Sequence, residues 1–157
     1  MLKSLRPGRD FGSAKAYSKA IGSRNPTLTA LLLAERSLAT ADMLAKLESN
    51  ARVDGRIRRK VLKAERLLAD LDVSGLSDAI QREIHAYSAL VIARSFFIRK
   101  QYSEALAHMD VFNQRMYLLT NHLDATAEQK ETYIHLVARF QELSSVCRNF
   151  LGKGTSI

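Results

Sequence analysis

The sequence predicts an all-α fold of about five antiparallel helices, arranged as a helical bundle or as an irregular array of helical hairpins. Apolar residues make up 46% of the 157 residues, and they recur every three or four positions, the spacing of one helix face. Only 2 prolines and 7 glycines interrupt this pattern. Because the predicted connections are short, neighbouring helices should run antiparallel.

The first predicted helix begins where a capping residue, Asn25, precedes Pro26, a proline suited to the first helical position. This helix is expected to extend to about Ser49. Residues 50–54 form the predicted break, and a second, strongly basic helix follows to about Leu71. The second helix has an apolar stripe at helical spacing, which comprises Ile57, Val61, Ala64, Leu68 and Leu71.

The third and fourth predicted helices follow a turn at residues 72–77, whose last residue, Ser77, is a good helix cap. The third helix is expected over residues 78–99. It is apolar on two faces, which is typical of a central helix with neighbours on both sides. The fourth helix is expected from about Ser103 to Asn121.

The fifth predicted helix begins at a capping box, in which Thr126 and Gln129 lie three residues apart. Gly152 is expected to end the helix, and residues 153–157 are expected to be frayed. The single cysteine, Cys147, falls on the apolar stripe of this helix, so a buried and unreactive thiol is predicted.

The predicted domain organisation is a basic, flexible arm over residues 1–24 followed by a single helical domain over residues 25–152. One cysteine suits a reducing compartment, and no apolar run approaches the roughly 20 residues that span a bilayer. A cytoplasmic protein is therefore expected. The alternative is targeting to an organelle through the arm, which contains six basic residues and one acidic residue.

A second concentration of positive charge lies at residues 52–66, which contain seven basic and two acidic residues. Six of the basic side chains recur at helical spacing and form a predicted basic ridge: Arg52, Arg56, Arg59, Lys60, Lys63 and Arg66. Such a ridge can simply be solvated, or it can bind an acidic protein, a phosphate backbone or an anionic membrane surface. It contains no aromatic residue to stack on bases or insert into lipid.

The junction of the third and fourth predicted helices carries small and aromatic residues at the spacing of a close helix pair. Ala93 precedes Phe96 by three positions, and Tyr102-Ser103-Glu104-Ala105-Leu106 opens the fourth helix. Residues 86–118 thus resemble a single degenerate tetratricopeptide repeat, although the repeat's roughly 34-residue period is not sustained on either side. The chain also resembles the helical chaperones of bacterial secretion systems, which hold a partner peptide in a concave face. Both resemblances imply protein–protein binding without catalysis.

No residue pattern predicts an enzyme, a cofactor or a metal site. The four histidines form no pair four residues apart on one helix, and no cluster of cysteine and histidine exists. Glu104 and His108 are four residues apart and are expected to form an exposed pair on the outer face of the fourth helix. No catalytic residue is therefore proposed.

The predicted function is that of an adaptor, chaperone or assembly factor that binds another protein without catalysing a reaction. Binding is expected through the basic ridge, through a hairpin groove lined by Phe96, Tyr102 and Tyr117, or through both. The alternative is a nucleic-acid-associated accessory protein that uses the basic segments 1–24 and 52–66. The oligomeric state is not predicted.

Overall fold

A computed structural model describes residues 26–154, and it confirms the all-α prediction. Five α-helices and no β-strand occur within this range, with bounds α1 Pro26–Ala45, α2 Ala51–Ala69, α3 Asp78–Ile98, α4 Tyr102–Thr120 and α5 Ala127–Gly154. None of these helices is both long and apolar enough to cross a membrane. The predicted basic arm, residues 1–24, lies outside the described residues, as do residues 155–157.

The chain divides into two compact units between Val73 and Ser74. The first unit contains α1 and α2, and the second contains α3, α4 and α5. The predicted single domain, residues 25–152, spans both units. All the extensive packing in the described part of the chain is between helices adjacent in sequence: α1 with α2, α3 with α4, and α4 with α5.

In the first unit, α1 and α2 pack against each other. Small side chains on both helices, at Ala34, Ala41 and Ala64, are almost completely buried and permit a close approach. Larger apolar residues, three or four positions from these alanines, complete the buried faces: Leu38 and Leu44 on α1, and Val61 and Leu68 on α2. The apolar stripe predicted for the basic helix therefore includes its three buried residues.

The boundary between α1 and α2 differs from the sequence-based prediction. Asn50 was expected to open a break, but its Oδ1 accepts hydrogen bonds from the backbone N–H groups of Arg52 and Val53, at 3.1 Å and 3.0 Å. Asn50 is thus the cap of α2, and Asp54 lies in the first turn of that helix. Helix α1 ends at Ala45, before the predicted Ser49.

In the second unit, α4 packs against both α3 and α5 and occupies the middle position that the sequence predicted for α3. Small residues on α3 face larger residues on α4, and α5 adds a tyrosine. The core cluster comprises Ala86, Ala89, Leu90, Ala93, Met109, Phe112, Met116, Leu119 and Tyr133. Partly buried residues of α5 pack against this cluster, among them Leu136 and Phe140.

Hydrogen bonds confirm two predicted helix starts, and the bounds of α5 correct one predicted helix end. Ser77 Oγ accepts from the N–H of Ile80 at 3.4 Å, as expected of the α3 cap. The Thr126 N–H donates to Gln129 Oε1 at 2.9 Å, and the Gln129 N–H donates to Thr126 Oγ1 at 3.1 Å, which completes the capping box. Helix α5 continues through Gly152 to Gly154, since a glycine lowers helix propensity but does not by itself end a helix.

The connection between α3 and α4 turns at Lys100, whose φ of 61° places it in the left-handed region. The Lys100 N–H donates to Phe97 O and the Gln101 N–H donates to Phe96 O, both at 2.9 Å. This pair of bonds is a Schellman motif, which satisfies the last carbonyl groups of α3 and reverses the chain within three residues. Glycine usually occupies the position that Lys100 takes here.

Candidate functional site

The basic ridge is a single straight strip on α2. Five of its members, Arg52, Arg56, Arg59, Lys63 and Arg66, follow one another at alternating spacings of four and three residues, so they lie within one narrow arc of the helix. The strip extends for about 21 Å by helical rise. These five side chains are exposed, whereas Lys60 at the edge of the strip is half-buried. The structure thus brings together all six residues predicted from the sequence.

The positive charges of the basic ridge are not neutralised within residues 26–154. None of the six side chains forms an ion pair with a carboxylate in that range. The two acidic residues of the same helix are placed elsewhere: Asp54 accepts hydrogen bonds from the Ser49 hydroxyl, and a buried carboxylate oxygen of Glu65 has no described hydrogen-bond partner. The ridge therefore carries an uncompensated positive potential.

The pKa of Lys60 is lowered first by burial and then by the positive charges around it. Partial burial, which disfavours the charged form, lowers the pKa of Lys60 below its ordinary value, and repulsion by Lys63, Arg36 and Arg56 lowers it further. An anion bound along the ridge would relieve this repulsion.

The residues of the predicted hairpin groove do not lie together, and Phe96 belongs to an aromatic contact with His108. Phe96 stacks on His108, with ring centroids 5.2 Å apart, and the guanidinium of Arg99 lies 4.4 Å from the centre of the Phe96 ring. His108 was expected on the exposed outer face beside Glu104; instead it is half-buried against Phe96. The stacking partner comes from a different helix, so it could not be identified from spacing along α4.

Tyr102 belongs to a second aromatic group. Its ring stacks on Phe150 of α5 at 4.5 Å and meets Phe97 edge-on at 5.7 Å. Tyr117 is separate from both groups, since it lies fifteen residues further along α4, or about 22 Å by helical rise. It is also 69% exposed. The structure therefore does not bring Phe96, Tyr102 and Tyr117 into one compact site, and only Tyr117 presents most of its ring to solvent.

The other candidates for chemistry give no site. Cys147 is completely buried, as predicted, and burial raises the pKa of its thiol, which opposes formation of the reactive thiolate. In the described part of the chain, His135 lies 3.8 Å from Glu131 and His122 lies 3.9 Å from Asp124. Among residues 26–154, no group of three or more histidine, cysteine and acidic side chains is arranged to hold a metal ion.

Sequence reasoning missed a cleft in the second unit, with a volume of about 450 Å³. We call it the arginine cleft; its lining residues are Arg82 and His85 of α3, Arg115, Leu118 and Leu119 of α4, and His122 of the following turn. The only signal in the sequence is spacing. Arg82 and His85 are three residues apart on one face of α3, and Arg115 and Leu118 are three residues apart on one face of α4.

Comparison with known proteins does not identify a family: no family model, no curated protein and no solved structure matches the chain.

Proposed function

We propose that the protein is a non-catalytic adaptor, chaperone or assembly factor that binds an acidic segment of another protein along the basic ridge. The supporting observation is that six cationic side chains lie together on α2 without an ion-pairing carboxylate in the described part of the chain. A strip about 21 Å long matches about six residues of extended chain. The proposed ligand is therefore a short glutamate- or aspartate-rich stretch.

The repulsion at Lys60 adds support, because it is removed when an anion binds beside that side chain. Exposed charge pairs contribute about 0.2–1 kcal/mol each, so affinity must come from several of them acting together. Recognition of this kind gives fast association and strong salt dependence more than high affinity. A cytoplasmic location is part of the proposal, with organelle targeting through residues 1–24 as the alternative.

The experiment measures binding of a fluorescein-labelled, glutamate-rich peptide to the intact protein by fluorescence anisotropy. The double variant Arg59→Glu/Lys63→Glu should weaken binding about tenfold or more, since two attractions become repulsions. The matched control is Arg139→Glu/Arg148→Glu, which changes the net charge equally at exposed positions of α5. Equal weakening by the two double variants would show attraction by net charge alone and would contradict the proposal.

Duplex DNA in the same assay tests the nucleic-acid alternative. Phosphate binding falls linearly on a plot of log affinity against log salt, with a slope set by the number of phosphates neutralised. We expect DNA to bind the ridge more weakly than the acidic peptide at physiological salt. Tighter binding of DNA, lost in Arg59→Glu/Lys63→Glu, would replace the protein-binding proposal with the nucleic-acid one.

A further inference from the structure

We propose that the arginine cleft binds a small organic phosphate, a phosphomonoester whose substituent is apolar. This site lies in the second unit and does not involve the basic ridge. Its basis is the convergence of two guanidinium groups and two imidazole groups on one cleft that also has an apolar wall.

Two helices build the cationic side of the cleft. Helix α3 contributes Arg82 and His85, which are exposed and three residues apart, and α4 contributes Arg115 at the same cleft. His122 follows the end of α4 and is 41% exposed at its side chain. Two like charges that share a cleft repel each other, and an anion placed between them removes that repulsion.

Both arginines keep their hydrogen-bonding groups available. The guanidinium groups of Arg82 and Arg115 form no hydrogen bond or ion pair with a residue in the range 26–154. A smaller neighbouring cleft of about 290 Å³ contains Asp78, Glu83 and Asp124 beside Arg82, yet none of these three carboxylates forms an ion pair with Arg82. Glu83 instead accepts a hydrogen bond from the Tyr133 hydroxyl.

The imidazole of His122 has a defined orientation. Its Nδ1 accepts a hydrogen bond from the backbone N–H of Asp124 at 3.2 Å. In the neutral ring the proton therefore resides on Nε2, which is the nitrogen free to donate to a ligand. The Asp124 carboxylate oxygen Oδ2 lies 3.9 Å from the same nitrogen.

Side-chain hydrogen bonds reinforce the end of α4, which leads into His122. Thr120 Oγ1 donates to Met116 O and Asn121 Nδ2 donates to Tyr117 O, each at 2.8 Å. Tyr117 O also accepts from the Asn121 N–H at 3.1 Å.

The shape and lining of the cleft indicate the class of ligand. Arginine presents a planar fork of N–H donors that binds phosphate through two parallel hydrogen bonds, and two arginines suit a doubly charged group. The volume of about 450 Å³ exceeds that of a phosphate ion alone, and Leu118 and Leu119 provide an apolar wall. A phosphate attached to an apolar group fills both parts of the cleft.

The test is a titration of the intact protein with phenyl phosphate, in which isothermal titration calorimetry measures the affinity. Phenyl phosphate should bind, and Arg82→Gln and Arg115→Gln should each weaken binding about tenfold, because each removes charge-assisted hydrogen bonds. Arg139→Gln, an exposed α5 position outside the cleft, makes the same change in charge and should alter affinity less than about twofold. Circular dichroism of each variant checks that the helices are retained. If Arg115→Gln loses them, Arg115→Lys is used in its place.

Two further ligands test the two halves of the site. Inorganic phosphate should bind more weakly than phenyl phosphate, and Leu118→Ser should weaken phenyl phosphate without changing inorganic phosphate. Benzoate, with a single negative charge, should bind more weakly than phenyl phosphate. Absence of phenyl phosphate binding at millimolar concentration, equal effects of Arg82→Gln and Arg139→Gln, or equal affinity for benzoate would each overturn the proposal.

Discussion

The hydrogen bond between Tyr133 of α5 and Glu83 of α3 makes the second unit lose stability as the pH rises through the alkaline range. Tyr133 is only 8% exposed, and its hydroxyl donates to Glu83 Oε1. Burial, followed by the hydrogen bond and the charge of Glu83, raises the pKa of Tyr133 from 10.0 to about 12. All three effects disfavour the phenolate in the folded protein.

The sign and size of the effect follow from the difference between the two pKa values. The folded protein holds the proton more tightly than the unfolded chain, so the stabilisation is fully present below pH 10 and is lost as the pH rises to about 12. A difference of about two pKa units corresponds to about 2.7 kcal/mol at most. At neutral pH, Tyr133→Phe loses one hydrogen bond to an exposed carboxylate, which should lower the free energy of unfolding by about 1 kcal/mol.

We therefore expect the order of stability to reverse with pH. Tyr133→Phe should be less stable than the wild type at neutral pH by about 1 kcal/mol, and more stable by about 1–2 kcal/mol near pH 12. Urea unfolding followed by circular dichroism measures both differences. Tyr117→Phe is the matched control, because Tyr117 is 69% exposed and should show no such reversal. A difference between wild type and Tyr133→Phe that stays constant with pH would refute the reasoning.

Three further changes test the local features of the fold by urea unfolding. Lys100→Gly should raise the free energy of unfolding by up to about 1 kcal/mol, because glycine adopts the positive φ without strain, whereas Lys100→Val should lower it. Thr126→Ala should lower it by about 1 kcal/mol through loss of the α5 cap, and Ser145→Ala, at an exposed mid-helix serine, should change it little. Met109→Ala should lower it by about 2–5 kcal/mol, since Met109 is completely buried; a smaller loss would mean that the core collapses around the missing side chain.

The helices could be predicted from the sequence where local chemistry determines their ends. Ser77 and the Thr126–Gln129 pair act within one turn of their own helix, so their roles are visible without any tertiary information. The α1–α2 boundary was placed wrongly because Asn50 suits both a turn and a helix cap, and only the hydrogen bonds to Arg52 and Val53 distinguish the two. The predicted end of α5 was wrong for a similar reason, since Gly152 permits a helix to stop there without requiring it.

The candidate sites differ in the same respect: one lies on a single helix and could be predicted, and the other needs two helices and could not. The basic ridge lies on one helix, so helical spacing was sufficient to find it. The arginine cleft requires the alignment of α3 with α4, which depends on how small residues such as Ala89 and Ala93 pack against Met109 and Phe112. The bond from Tyr133 to Glu83 joins residues fifty positions apart. No periodicity within a single helix contains that information.

The pairing of each helix with its neighbour in the chain has a consequence for how the protein folds. Contacts between neighbouring helices have small separations in sequence, and proteins with such low contact order fold in microseconds to milliseconds. Short connections, such as the one at Lys100, add little loop-closure entropy. Within each unit, every helix packs against a helix that is adjacent to it in the chain. The α1–α2 pair can therefore form during translation before α3 is synthesised, whereas the bond from Tyr133 to Glu83 forms only once α5 is present.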